Sequence, residues 1–401
     1  MKYIILLGDG MADYPIKELG DKTPLKVAKK EAMDAIACGG TLGMVKTIPQ
    51  GISPGSDIAN LSILGYDPKR YYTGRAVYEA ASSGVKLGSN DVAFRCNLVT
   101  LSEGDRETIM EDYSAGHITT DEARKIINEL DQKLGNDEIR FYPGVSYRHL
   151  VVWKDGKEEM ETTPPHDISG KDAASYLPRG EGVEKILQLM DEARKILNDN
   201  PVNRERVAAS KSPANSIWLW GQGKPISLQS FKEKYGLTGS VISAVDLIKG
   251  IGVTLGLSPI KVPGATGYLD TNYLGKADYA LKELEKKDFV FLHVEAPDEA
   301  AHTGDIDNKI AAIEDFDAKV VKTVLEGMRQ FEEYKIMVLP DHRTPIVKKT
   351  HTSEAVPFAF CSSTSLMKGS KQQVDFSEES AERSGLFIEN GFDLMDFFIK
   401  N

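Results

Sequence analysis

The chain has 401 residues, more than most single domains, and its 41% hydrophobic and 27% charged residues are typical of soluble globular proteins. Its net charge of −11 disfavours nucleic acid or an anionic membrane as a partner. No apolar run approaches the roughly 18 residues of a membrane helix, and the three cysteines are widely separated, so we expect a cytoplasmic protein. The length predicts two or three domains.

The first elements in the chain predict a strand and a helix. Lys2–Leu7 is a short apolar run without a helical period, and a Gly-Asp-Gly turn closes it, which is typical of a buried strand. Asp57–Leu64 carries apolar residues at helical spacing and is followed by a glycine. Ser56 therefore falls at the cap or in the first turn of a helix.

The region from about 90 to 226 has a different pattern, which indicates an α+β module. Its predicted strands are Val92–Leu101, Thr108–Tyr113, Ile139–Trp153 and Ser216–Trp220. Its predicted helices are Thr120–Leu134 and Gly182–Leu197. Asn198–Pro213 is expected to be the exit linker, and Ser216–Trp220 is compatible with either side of the boundary.

Strands and helices alternate again after this module, which predicts a parallel sheet. The predicted elements are strand Ser240–Ile248, helix Leu274–Lys286, strand Phe289–Val294, helix Asp307–Gln330, strand Lys335–Leu339 and strand Phe358–Cys361. We therefore predict an α/β domain, formed by residues 1–64 and 227–401, with a mostly parallel sheet and helices on both faces. A smaller α+β cap domain is inserted at 65–226, with boundaries uncertain by about 15 residues.

The arginines are concentrated in this predicted cap. Eleven of fourteen lie between positions 70 and 206, and the first 69 residues contain none. The distribution is either a chance decoration of helices or the mark of a domain that binds carboxylates or phosphates bidentately.

Metal-type ligands follow several predicted strands, and ligands of open α/β sheets bind at the carboxyl ends of strands. The residues concerned are Asp9, Asp298, His302, Asp341, His342 and His351. Asp298 and His302 are four residues apart, so on a helix they share a face. The adjacent Asp341 and His342 suit two ions, or one ion and an outer contact.

Each of these residues alone is a weak signal, since an Asp after a strand is often a turn residue. Three of the seven histidines, however, fall in two short segments that each follow a predicted strand. Carboxylate and imidazole ligands suit Mn²⁺ or Zn²⁺, and paired ions are a common device for phosphoryl transfer. Ser56 is then either a simple N-cap or a nucleophile at a helix N-terminus.

Several motifs together resemble the cofactor-independent phosphoglycerate mutases, in particular the archaeal-type branch within the alkaline phosphatase superfamily. The metal-type motifs are Asp9-Gly-Met, Pro54-Gly-Ser56-Asp-Ile-Ala-Asn60, Pro297-Asp298-Glu-Ala-Ala-His302, Asp341-His342-Arg-Thr-Pro345 and His351-Thr-Ser-Glu. The central motifs are Asp91-Val-Ala-Phe-Arg95-Cys-Asn97, Tyr147-Arg148-His149 and Pro165-His166-Asp167. The resemblance spans nearly the whole chain.

The resemblance implies an alkaline-phosphatase-like fold with two divalent ions, Mn²⁺ first, with Zn²⁺, Co²⁺ or Mg²⁺ as alternatives. Asp298, His302 and His351 would hold one ion. The other would be held by Asp9, Asp341, His342 and the Ser56 oxygen. Ser56 would accept phosphate from 3-phosphoglycerate and return it to the other hydroxyl, in glycolysis and gluconeogenesis and without bisphosphoglycerate.

The resemblance also assigns substrate contacts. In the cap these are Arg95, Arg148 and His166; Lys249 would contact phosphate. His166 or Asp167 would serve as general acid or base, while His149 lies in a strand pattern that favours a structural role. The residue after Asp341-His342 is usually small or neutral in this family, whereas here it is Arg343. We expect the Arg343 side chain to turn outward. The alternative function is hydrolysis of a phosphoester or phosphonate within the same superfamily.

Overall fold

The structure is a computed structural model that describes residues 1–104, 107–368 and 374–401. The chain divides into two compact units. The split unit comprises Met1–Tyr72 and Leu228–Asn401, and the inserted unit comprises Thr73–Ser227. The predicted boundary at 64 therefore falls eight residues before the observed one at Tyr72. Residues after 64 stay in the split unit because Tyr66 is buried and its hydroxyl donates to the carbonyl of Gln229, at 2.9 Å.

The strands of the described residues are numbered in chain order. They are β1 (Lys2–Gly8), β2 (Thr41–Val45), β3 (Val92–Glu103), β4 (Thr108–Asp112), β5 (Ile139–Val145), β6 (Arg148–Trp153), β7 (Met160–Glu161), β8 (Arg179–Gly180), β9 (Ser216–Gly223), β10 (Gly239–Ile242), β11 (Ser258–Ile260), β12 (Phe289–Val294), β13 (Tyr334–Leu339), β14 (Val356–Ser362) and β15 (Phe387–Ile388).

The α-helices of the same residues are numbered likewise. They are α1 (Pro24–Val27), α2 (Glu31–Cys38), α3 (Ser56–Ile63), α4 (Pro68–Tyr71), α5 (Arg75–Ser83), α6 (Thr120–Leu134), α7 (Val183–Asn198), α8 (Pro201–Ala208), α9 (Phe231–Tyr235), α10 (Asp246–Thr254), α11 (Tyr273–Lys286), α12 (Ala296–Thr303), α13 (Ile306–Asp315), α14 (Lys322–Gly327), α15 (Ser363–Lys368), α16 (Glu378–Arg383) and α17 (Leu394–Lys400). Within the described ranges, every helix is too short or too polar to span a lipid bilayer.

The split unit is built on an eight-stranded sheet with the order β11-β10-β12-β1-β13-β14-β2-β15. Only β14 runs against its neighbours, so the prediction of a mostly parallel sheet is confirmed. β1 lies at the centre and is buried on both faces, which explains its nearly continuous apolar sequence.

Helices cover both faces of this sheet. On one face, Ile4 and Leu6 of β1 pack in a core with Met33 of α2 and Phe316. On the other face, the ring of Tyr3 lies 5.9 Å from that of Phe398 on α17. The alternation of side chains along β1 therefore serves two hydrophobic layers.

The inserted unit is an antiparallel α+β module. β3 pairs with β6, β9 and β4, and β5 pairs with β6. Its core joins residues of β3, such as Phe94 and Leu98, to Ile126 of α6 and Leu189 of α7. The predicted helix Thr120–Leu134 is confirmed because Thr119 and Glu122 form a capping box that fixes its start.

Several predicted elements differ from the observed ones. The predicted strand Ile139–Trp153 is a hairpin that turns at Ser146, whose φ of 54° breaks the strand. The predicted strand Ser240–Ile248 ends at Ile242, and α10 begins at Asp246. The predicted linker Asn198–Pro213 contains α8, because the Asn200 side chain accepts bonds from two amides of its first turn.

The predicted helix Asp307–Gln330 is also interrupted. It contains a six-residue π segment, Phe316–Val321, between α13 and α14. Asp317 in this segment accepts bonds from the backbone amides of Ala32 and Met33 at the start of α2. The π segment thus holds the buried carboxylate of Asp317, which caps the N-terminus of α2.

A fully buried ion pair joins α13 to the loop after β1. Lys309 Nζ lies 2.8 Å from Asp13 Oδ2, and both side chains have no exposed surface. Lys309 also donates to the carbonyls of Ala12 and Thr344, at 3.3 and 2.9 Å. Removing either partner would leave a buried charge without its counterion.

We predict that Lys309→Met lowers the free energy of unfolding by about 3–5 kcal/mol, because Asp13 loses its buried counterion. Urea denaturation measures this difference. The matched control is Lys319→Met, whose ion pair with Asp315 is exposed and should change stability by about 0–1 kcal/mol. Equal effects of the two substitutions would contradict the assignment of a stabilising buried pair.

Candidate active site

Three neighbouring strands bring three carboxylates to one edge of the sheet. β1 lies between β12 and β13, with Gly8 beside Val294 and Leu7 beside Leu339. Asp9, Asp298 and Asp341 follow these strands closely, and all three are buried. Parallel strands that end at the same edge account for this convergence of Asp9 with residues 289 and 332 positions later in the sequence.

Asp298, His302 and His351 form the first cluster. His302 Nε2 lies 3.1 Å from Asp298 Oδ2 and 3.0 Å from His351 Nε2. Asp298 and His302 are one turn apart on α12, as predicted. His302 Nδ1 lies 2.9 Å from the carbonyl of Lys349, so it donates there and turns Nε2 toward the cluster.

Ser56, Asp9, Asp341 and His342 form the second cluster around His342 Nε2. This nitrogen lies 3.1 Å from Ser56 Oγ, 3.5 Å from Asp9 Oδ1 and 3.4 Å from Asp341 Oδ2. The two clusters are neighbours, since the rings of His342 and His351 stack with their centroids 4.0 Å apart. Asp341 and His342 both contribute to the second cluster, and His342 also has a ligand atom within 4.8 Å of those of Asp298 and His351.

Ser56 occupies the first turn of α3 and is not its N-cap. Gly55 is the cap residue, with extended backbone and no side chain to accept a bond. The Ser56 hydroxyl is thus not used in capping and approaches His342. Asn60, one turn later, donates to the Ser56 carbonyl at 2.7 Å and to Asp341 Oδ2 at 3.0 Å, which fixes this helix against the cluster.

Burial and neighbouring charges shift the pKa values of several residues in the two clusters. Burial and the charges of Asp341 and Glu295 raise the pKa of Asp9 well above its usual range. Burial opposes ionisation of Asp298, but hydrogen bonds from His302 and His351 hold its pKa well below the usual value. The hydrogen bond to Asp298 raises the pKa of His302 to about 9.

Two further residues lie at the site and were missed in the sequence analysis. His293 Nε2 lies 2.9 Å from Asp9 Oδ2, and the carboxylate of Glu295 is within 4.8 Å of Asp9 and Asp298 ligand atoms. Burial raises the pKa of Glu295 to about 8. The available signal was a histidine that interrupts the apolar run Phe289–Val294 just before the predicted ligands.

The carboxylate oxygens and imidazole nitrogens of the two clusters are ligands that suit divalent cations. Within the described residues, ligand atoms of Asp298, His342 and His351 lie within 4.8 Å of one another, as do those of Asp9, His293 and Asp341. The buried oxygen Asp9 Oδ1 has no hydrogen-bond donor in the part of the chain that the structure describes. Clustered, buried carboxylate oxygens without donors are what a cation would satisfy.

The predicted phosphate contact Lys249 belongs to the split unit. It is on α10 and forms an ion pair with Asp246 at 2.7 Å. α10 packs against α3, the helix that begins with Ser56. The structure therefore brings the two helices together, while Lys249 itself makes its ion pair within its own helix.

The predicted cap residues form a cationic and aromatic cluster within the inserted unit. Arg95 is buried, donates to Glu79 Oε2 at 2.9 Å and stacks on Trp220, with its guanidinium carbon 4.2 Å from the ring centre. Arg95 and Trp220 are cross-strand neighbours of β3 and β9. The imidazole of His166 lies 5.5 Å from the same Trp220 ring.

The other predicted cap residues lie around this cluster. His166 Nε2 is 3.7 Å from Asp167 Oδ1, and the pKa of His166 is lowered, first by burial and then by the charge of Arg95. Arg148 is exposed at the start of β6, and its charge also acts on Arg95. The charges of Arg75 and Arg148 therefore both act on Arg95 in this part of the inserted unit.

His149 and Arg343 both make hydrogen bonds to the backbone. His149 is buried in the inserted unit, and its Nδ1 accepts a bond from the amide of Gly144 at 2.9 Å. The expectation that Arg343 turns outward is wrong. Its side chain is largely buried because it donates to the backbone carbonyls of Ala355 and Asp13, at 3.0 and 3.1 Å.

A mostly parallel α/β sheet that ends in clustered carboxylates, imidazoles and a serine hydroxyl is typical of metal-dependent phosphoryl-transfer enzymes. Residues 37–203 match the family described as 2,3-bisphosphoglycerate-independent phosphoglycerate mutase. A probable enzyme of this name from Geobacter sulfurreducens is 54% identical, and one from Methanosarcina barkeri is 52% identical, each over 100% of both chains. The chain belongs to the 2,3-bisphosphoglycerate-independent phosphoglycerate mutase family.

Solved structures agree with this membership. A protein from Pyrococcus horikoshii is similar with a TM-score of 0.82 and 28% identity, over 100% of this chain and 96% of that one. The cofactor-independent phosphoglycerate mutase from Thermoplasma acidophilum is similar with a TM-score of 0.67 and 27% identity, over 100% and 99%.

We predict that divalent cations displace protons when they bind to the ion-free protein near pH 7.5. With a pKa of about 9, His302 is protonated at this pH, and a ligand nitrogen must be deprotonated. Affinity should therefore rise with pH up to about 9 and then level off. Calorimetric titration with Mn²⁺ in buffers of different ionisation enthalpy counts the protons released.

The variant His302→Gln should release fewer protons, whereas His117→Gln, in the inserted unit, should match the unmodified chain. Affinity that is independent of pH between 6.5 and 9 would contradict the assignment of His302 as a protonated ligand.

Proposed function

We propose that the chain interconverts 3-phosphoglycerate and 2-phosphoglycerate through a phosphoserine at Ser56, without bisphosphoglycerate. The observation that carries the proposal is the position of Ser56 Oγ, 3.1 Å from His342 Nε2 at the N-terminus of α3. Membership of the mutase family supports the substrate. The reaction belongs to glycolysis and gluconeogenesis, and a cytoplasmic location follows from a charged substrate that does not cross membranes.

The metal centre is proposed to hold two divalent ions. Asp298, His302 and His351 would hold one, and Asp9, Asp341, His342 and Ser56 the other. Mn²⁺ is the preferred ion, and Zn²⁺, Co²⁺ or Mg²⁺ suit the same donors. When bound, such ions stabilise charge on phosphoryl oxygens and lower the pKa of a coordinated hydroxyl.

Ser56 is the proposed nucleophile. Its Oγ loses its proton and forms a bond to phosphorus, the ester bond to the 3-oxygen of the substrate breaks, and that oxygen takes up a proton. In the second half-reaction the 2-oxygen loses its proton and attacks phosphorus, the bond between phosphorus and Ser56 Oγ breaks, and Oγ takes up a proton. The positive end of the α3 dipole favours the anionic phosphate at this position, and Asn60 holds the helix in place.

Residues of the inserted unit are proposed to bind the rest of the substrate. Arg95 and Arg148 would bind its carboxylate, since guanidinium groups recognise carboxylates bidentately. His166 or Asp167 would transfer the hydroxyl protons. Glu79 and Trp220 fix Arg95 in one orientation, and Lys249 is proposed to contact phosphate.

We predict that the protein converts 3-phosphoglycerate into 2-phosphoglycerate with Mn²⁺ present and bisphosphoglycerate absent. A mutase must retain the phosphoryl group until transfer is complete. Phosphorus NMR of the reaction mixture distinguishes the two esters from inorganic phosphate. Release of inorganic phosphate without 2-phosphoglycerate would instead identify a phosphoester hydrolase and overturn the mutase assignment.

We predict that Ser56→Ala lowers the mutase rate by at least about a thousandfold, because the nucleophile is lost. Ser62→Ala is the matched control, since Ser62 is buried on the same helix but belongs to neither cluster. Mass spectrometry of acid-quenched turnover should find phosphate on the peptide that contains Ser56. Phosphate on another residue, with full activity of Ser56→Ala, is the contrary outcome.

A further inference from the structure

The hydroxyl of Thr344 contacts one residue of each cluster. Thr344 is fully buried, two residues after His342 in the loop that follows β13. Its Oγ1 lies 2.5 Å from Asp298 Oδ1 and 3.1 Å from His342 Nδ1. Asp298 belongs to the first cluster and His342 to the second, so a single side chain bridges the two.

The chemistry of these groups fixes the direction of both bonds. A carboxylate only accepts, so the one hydroxyl proton of Thr344 goes to Asp298. The hydroxyl oxygen must then accept from His342 Nδ1–H. His342 is thereby held as the tautomer whose Nε2 carries the lone pair, and Nε2 is the atom that lies 3.1 Å from Ser56 Oγ.

The backbone of Thr344 is itself held in place. Its amide donates to the carbonyl of Ala12 at 3.1 Å, and its carbonyl accepts from Lys309 Nζ at 2.9 Å. Lys309 is fixed in turn by the buried ion pair with Asp13. The hydroxyl is therefore presented from a rigid loop and not from a mobile one.

We propose that Thr344 is a positioning residue that orients one ligand of each metal site, so that both sites depend on one hydroxyl. The inference rests on the proposed pair of metal sites. Partners behind metal ligands set the tautomer and orientation of those ligands, and their loss typically weakens metal binding about 10–100-fold. A residue that served only the fold would affect stability without this effect on both sites.

The test is calorimetric titration of the ion-free full chain with Mn²⁺. Thr344→Val keeps the shape and removes the hydroxyl, and it should weaken both binding steps by about tenfold or more. Thr344→Ser restores the hydroxyl and should bind within about threefold of the unmodified chain. Thr254→Val, which removes a hydroxyl bonded to a helix carbonyl of α10, should leave both steps unchanged.

Three results would overturn the proposal: weakening of one step only, unchanged affinity of Thr344→Val, or equal losses in Thr344→Ser and Thr344→Val. If Thr344→Val does not fold, Thr344→Ala replaces it and must show the same loss at both steps. The titration needs no substrate, so absence of mutase activity in the unmodified chain would contradict the proposed function without deciding this proposal.

Discussion

Asp9, Asp298 and Asp341 meet at one edge of the sheet because β1 is the middle one of three adjacent parallel strands. Their burial excludes the water that would otherwise screen their repulsion, and this repulsion is the constraint on which the site depends. Imidazoles of His302 and His351 offset it at Asp298, whose pKa stays low. Burial and the charges of Asp341 and Glu295 raise the pKa of Asp9, whose Oδ1 has no hydrogen-bond donor among the described residues, so the carboxylate repulsion is least offset where a cation is proposed.

The rest of the split unit holds these groups against their repulsion. Asn60 joins the serine helix to Asp341, and Thr344 joins Asp298 to His342. The buried pair of Lys309 and Asp13 fixes the loop that carries Thr344. Rigid elements therefore arrange the ligands before any cation or substrate arrives, which is the arrangement that electrostatic catalysis requires.

Sequence patterns predicted the sheet and the site where one physical signal was strong. Phe289–Val294 is a strand with the predicted bounds, since a parallel strand buried on both faces has a mostly apolar sequence, here with His293 as its one polar residue. The hairpin at Ser146 was not predicted, because the Pro143-Gly144 pair before it stays within β5 and the chain turns only at Ser146. His293 was missed because a histidine inside a strand gives no sign of what lies across the sheet. The orientation of Arg343 was not predicted because one of its acceptors, the carbonyl of Asp13, is 330 residues away in sequence.

The central claim is that two cations balance the clustered carboxylates. Anomalous X-ray diffraction from crystals grown with Mn²⁺ tests it most directly, because the metal positions are seen independently of activity. The account predicts two anomalous peaks, one with Asp298, His302 and His351 as ligands and one with Asp9, Asp341, His342 and Ser56. A single peak, or peaks that are coordinated by other residues, would contradict it.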